Sequence, residues 1–127
     1  MTDRKNTTPG DQPRKMSQMI SEMAAHFIGV GQTAEDKHHR LTAACSAWNM
    51  ACGSPDVRRQ QLEQYIEVYR RFNPAASPDD LAGIHKDIET LIERKLQMFP
   101  DDGRQIVNAR VVMVGKDYRI EVASSTL

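Results

Sequence analysis

The sequence predicts an α+β fold, mainly α: a four-helix core closed by a C-terminal β-hairpin and preceded by a polar N-terminal tail. Three observations carry that prediction. Apolar residues recur at helical spacing from Met16 to about Met98. Helix-start signals at Thr33, Ser54-Pro55-Asp56 and Ser77-Pro78-Asp79-Asp80 divide that stretch into separate helices. Beyond Gly103 the apolar period falls to two and holds through two short runs split by Gly115-Lys116-Asp117.

Residues 1–15 have no apolar periodicity, contain Pro9, Gly10 and Pro13, and carry a charge balance of +2; they read as a flexible polar tail. The first helix follows from Met16, with Met19, Ile20, Met23, Phe27 and Val30 on one stripe and Gly29 and Gly31 as its stop. A methionine stripe of this kind is expected to pack on the protein's own core. Thr33 caps the second helix, and Glu35 and Asp36 complement the dipole of its first turn. Its expected inner seam is His38, Leu41, Cys45, Trp48 and Cys52. Ala43, Ala44, Ser46, Ala47 and Ala51 flank that seam and permit a close helix neighbour.

The third helix runs from Ser54 to about Phe72 and is expected to bury Val57, Leu62, Tyr65, Ile66, Tyr69 and Phe72. Asn73-Pro74 ends it, because a residue before proline is pushed out of the helical region. The fourth helix presents Leu81, Ile84, Ile88, Leu91, Ile92 and either Lys95 or Leu96 to the core. In the hairpin (about 105–123), Val107, Ala109, Val111 and Met113 should face one way and Asn108 and Arg110 the other. Tyr118, Ile120 and Val122 alternate with Arg119 and Glu121 on the returning strand. Residues 16–127 are thus expected to form one helical domain closed by the hairpin.

Charge narrows the partner classes. The 17 basic and 17 acidic residues cancel, which argues against a uniformly basic nucleic-acid binder. The cancellation is regional: residues 76–103 carry −4, while 54–75 carry +1 and 104–127 carry +2. Such polarity suits a protein partner or a self-contact. No apolar run approaches the roughly 18 residues of a membrane span, and no secretory signal is visible at the start. A cytoplasmic location and no membrane partner are therefore expected. Cys45 and Cys52 are seven residues apart on one helix, about 10.5 Å, so reduced thiols are expected. Asn6-Thr7-Thr8 is then a chance glycosylation pattern.

No motif in the chain specifies a reaction. There is no Gly-x-Ser-x-Gly turn, Cys-x-x-Cys pair, phosphate-cradling glycine loop or His-Glu-x-x-His pair. The spacing of His38, Cys45 and Cys52 does not chelate, and His26 and His85 are the only other available histidines besides His39. Neither a cofactor nor a catalytic role is expected. The leading expectation is a small cytosolic binding or regulatory protein acting through protein contacts, on another protein or on itself as a dimer. A lone hairpin leaves open edges, and Ile106 to Val114 is a long apolar strand with one charge inside it. The expected surface joins that edge, with Arg110, Val112 and Arg119, to the third-helix arginines Arg58, Arg59, Arg70 and Arg71. Proline at Val112 is expected to remove a ladder donor and weaken partner capture. The alternative is nucleic-acid binding through those helix arginines, interleaved with Tyr65 and Tyr69. A metal or thiol-redox sensor built on His38, Cys45 and Cys52 is the second alternative.

Overall fold

The computed structural model describes residues 14–125, so nearly all of the expected tail lies outside the described residues. Four helices, α1 (Met16–Gly29), α2 (Ala34–Ala51), α3 (Pro55–Phe72) and α4 (Pro78–Met98), precede two strands, β1 (Ile106–Val114) and β2 (Asp117–Ser124). The expected α+β class, mainly α, is the observed one. Three helices start on the caps that their sequence provides. Thr33 Oγ1 accepts from the Asp36 N–H at 3.0 Å, and Ser54 Oγ accepts from the Val57 N–H at 3.3 Å. Ser77 and Asp80 form a reciprocal capping box, with bonds of 3.0 and 2.9 Å.

Basic side chains finish the other ends. Lys37 Nζ donates to Gly29 O at 3.1 Å and also to Gly31 O, closing α1. Arg58 Nη2 donates to Gly53 O at 3.0 Å and Ala51 O at 3.4 Å, closing α2. Both place positive charge where helix carbonyls lack intrahelical partners.

The core gathers around Trp48, with Ile20, Met23, Ile28, Leu41 and Ile88 fully enclosed beside it. Met16, Met19 and Met23 are all buried, so the methionine stripe belongs to the core. α1 departs from the expected single stripe at Ala24, whose φ of −136° and ψ of 16° kink the helix. At the kink Arg94 of α4 reaches two carbonyls: Nε donates to Met23 O at 2.6 Å and Nη2 to Glu22 O at 3.1 Å. The helical phase shifts past this point, so Ile28 is buried and Val30, expected inside, is exposed.

α3 packs on α4 and α2 and buries only Leu62 completely. Val57 and Phe72, expected in the core, are exposed, Phe72 by 81%. Both lie at helix ends, and only the middle of α3 carries residues packed against the core: Leu62, Tyr65 and Ile66. On α4, Lys95 takes the buried place and Leu96 a half-buried one.

The hairpin lies across two helices, β1 against α2 and β2 against α1. Pairing is antiparallel, with Val114 opposite Asp117, Val112 opposite Arg119 and Arg110 opposite Glu121. Gly115 has φ of +62°, the positive value that a primed two-residue hairpin turn requires. An irregularity between Ile106 and Asn108 makes Val107 an extra residue. Ile106 therefore points into the core and Val107, expected on the buried face, is 67% exposed. Ala109 and Val111 keep their expected places against the core, while Met113 near the tip is 46% exposed.

Candidate functional site

The approach to the hairpin is pinned by side chains from α2 and α4. Trp48 Nε1 donates to Arg104 O at 2.8 Å, and the Cys52 thiol lies 3.7 Å from both Asp102 O and Arg104 O. Lys95 is 1% exposed; its Nζ donates to Asp102 O at 2.6 Å and stands 5.0 Å over the Trp48 ring. The buried ammonium is thus satisfied by a carbonyl and an aromatic face. Arg104 closes on Asp102 Oδ2 at 2.7 Å, and its hydrogen bond holds that carboxyl below the usual aspartate range.

Asn49 then defines the first residue of β1. Its carboxamide accepts from the Ile106 N–H at 2.7 Å and donates to Ile106 O at 2.9 Å. A side chain on α2 thereby imitates one rung of a neighbouring strand and occupies the start of the outer edge.

The register shows which backbone groups lie along the rest of that edge. The pair that flanks a two-residue turn exchanges both of its hydrogen bonds, and bonded pairs then alternate along the ladder. Val114, Val112 and Arg110 therefore bond to β2, while Ala109, Val111 and Met113 turn their N–H and C=O groups outward. Ala109 confirms this phase, since its N–H bonds the neighbouring Asn108 Oδ1 at 2.9 Å instead of β2. Val111 and Met113 keep outward groups with no protein partner among the described residues. The described sheet has two strands, so nothing covers this edge with a third.

The residues expected to bind partners have distinct places. Arg110, Val112 and Arg119 share the outer face of the hairpin, with both arginines on Glu121 at 2.6 and 3.2 Å. Those bonds hold the Glu121 carboxyl below its ordinary value. On α3, Arg58 is turned onto the end of α2, and Arg59 pairs with Asp56 at 3.4 Å. Arg70 and Arg71 both reach Glu67, at 2.5 and 3.4 Å, and lower its pKa by hydrogen bonding. The hairpin rests on α1 and α2 whereas α3 rests on α2 and α4, so the two halves of the expected surface share only α2 among their main packing neighbours. Val112 bonds into the hairpin itself; proline there would damage the ladder, and the edge is addressed at Val111 or Met113.

Two features were not foreseen. Asn49 carried no signal in sequence, because its partner is 57 residues away. A cleft of about 620 Å³ opens between α2, α3 and α4, lined by Tyr65, Tyr69, His38, Arg40, Ile84 and Ile88. His38, expected on the inner seam of α2, is exposed because it borders this open cleft. Burial, with Tyr69 beside it, raises the Tyr65 phenol.

The thiols are both free. Cys45 is buried and its pKa is pushed up to about 12 by loss of hydration. Cys52 is half-buried and also raised, by burial and by Asp102, with Lys95 opposing. Among the described residues, no three His, Cys, Asp or Glu side chains gather where a metal could be held. Compared with known proteins, the chain matches no family model, no curated relative and no solved structure.

Proposed function

We propose that the chain is a small non-catalytic interaction module that binds a partner protein by adding an extended segment to the outer edge of β1. The observation that carries this reading is the pair of unpartnered residues Val111 and Met113, bounded by the occupied groups of Ile106 and Ala109. Strand addition needs such a row of backbone donors and acceptors, and apolar side chains beside it supply the surface that water leaves. Met113 and Val114 provide that surface here, both substantially exposed. The bulge at Val107 and the Asn49 carboxamide guard only the start of this edge, and along residues 109–114 Arg110 is the one charge and is already paired with Glu121.

A cytosolic setting is part of this proposal; no described helix is long and apolar enough to cross a membrane. The nucleic-acid alternative depends on unneutralised arginines. Arg59 pairs with Asp56, Arg70 and Arg71 share the Glu67 carboxylate, and Arg58 is turned onto the end of α2, so the four do not form one row of free charges for phosphate.

The test compares the native chain with a Met113→Pro chain by affinity purification and cross-linking. Proline at 113 removes an outward donor and leaves the β1–β2 ladder intact. A partner recovered by the native chain, cross-linked through Lys116 and lost by the variant supports the reading. Recovery of the same partners by both chains contradicts it.

A further inference from the structure

The strand best matched to this edge is the edge itself. We infer that β1 pairs antiparallel with β1 of a second copy, Val111 opposite Val111, to give a continuous four-stranded sheet. The inference rests on the strand-addition reading above and adds the identity of the partner and its register.

Phase restricts the registers. Residues with outward groups must meet one another, and the irregularity at Val107 ends the regular phase, which leaves three alignments that pair most of residues 108–114. In one, Arg110 opposes Arg110, and regular pairing covers only residues 108–112. That alignment sets like charges directly opposite. In a second, Val112 opposes Val112, and pairing covers only residues 110–114. The third centres on Val111 and covers residues 108–114. Ala109, Val111 and Met113 of each copy then exchange backbone bonds with the other. It requires that Asn108 release the Ala109 N–H, one exposed local bond, and that the α2 helices packed under the two β1 strands fit side by side.

Side chains favour the third alignment as well. On the outer face, Arg110 lies opposite Val112 of the second copy, and Asn108 lies opposite Val114. Every polar residue thus meets an apolar one, and Arg110 retains Glu121 as its counter-ion. On the inner face, Ala109 meets Met113, small against large, and Val111 meets itself. Beyond Asn108 the other copy's Gly115 turn begins, so its strand stops where the Asn49 carboxamide occupies the edge.

Sedimentation equilibrium of the full chain and of Val111→Pro, together with oxidative cross-linking of Val111→Cys and Val112→Cys, tests this. Bonded residues directly opposite one another have Cα atoms about 5.5 Å apart, within disulfide reach. The native chain, with Cys45 and Cys52, gives the cross-linking background. Expected are a reversible dimer, about thirtyfold weaker association in Val111→Pro from two lost bonds per dimer, and preferential cross-linking at 111. Preferential cross-linking at 112, or a dimer that cross-links at neither position, overturns the register. Dimerisation unchanged by Val111→Pro overturns the interface. A native chain that stays monomeric to about 1 mM, a Kd worth only about 4 kcal/mol, overturns self-pairing alone. Strand addition to a different partner is then judged separately by the Met113→Pro comparison.

Discussion

Replacing Asn49 with alanine is predicted to weaken folding and leave self-association of the folded chain unchanged. The carboxamide makes two bonds to Ile106, at 2.7 and 2.9 Å, and Ile106 is 8% exposed. Each bond contributes about 1 kcal/mol, and a stranded buried group adds about 1–3 kcal/mol. Asn49 itself is half-buried, so water can reach part of the space it leaves. The expected loss is about 2–3 kcal/mol, or about 8–12 °C in Tm for a chain of this size. Urea unfolding followed by circular dichroism measures it, with an unchanged m-value showing that the same surface is exposed. Asn49→Asp separates the two bonds, because a carboxylate still accepts from the Ile106 N–H and repels the Ile106 carbonyl. In the Val111-centred dimer Ile106 falls beyond the paired stretch, so self-association of the folded chain should stay unchanged as stability falls. A change below about 0.5 kcal/mol, the range of ordinary surface substitutions, would refute the role given to Asn49.

Lys95→Met should change stability by less than about 1 kcal/mol, since the lost bond to Asp102 O and Trp48 contact are offset by the charge no longer being buried. Lys95→Ala should cost about 2–4 kcal/mol by leaving a cavity under Trp48, so equal effects in the two variants would contradict this account. The Asp102 carboxyl titrates lower in the folded chain than unfolded. Its contribution is therefore complete above about pH 4 and lost as pH falls through the lower folded value. In Asp102→Asn, that part of the acid dependence of urea stability should disappear. Cys45, with its pKa pushed up to about 12, should resist a thiol reagent at pH 8 until the chain unfolds, while half-buried Cys52 reacts earlier. Simultaneous reaction of both thiols in the native chain would contradict the burial assigned to Cys45.

Helix and strand limits were legible because the signals are local. Ser54-Pro55-Asp56 and Ser77-Pro78-Asp79 lead directly into α3 and α4, and Gly115 supplies the turn φ. What escaped the sequence depends on distant partners. The Ala24 kink is marked by no proline or glycine at that point, and the carbonyls beside it meet Arg94, 71 residues beyond Met23. The buried Lys95 looks like any helix lysine until the α4–β1 connection places Asp102 O beside it. Periodicity assigned Val107 to the buried face, and one extra residue in β1 reversed it. For the candidate site, sequence pointed to an open apolar strand but not to its phase. The phase comes from the paired register and makes Val111 and Met113, not Val112, the residues of the edge.

Residue-resolved amide hydrogen exchange, measured over a range of protein concentration, tests the free edge most directly. At low concentration the Val111 and Met113 amides should exchange rapidly while Val112, bonded to β2, is protected. Raising the concentration should protect Val111 and Met113 together and leave Val112 unchanged. Equal protection of all three at every concentration would mean that the edge is already covered, and the central claim would fail.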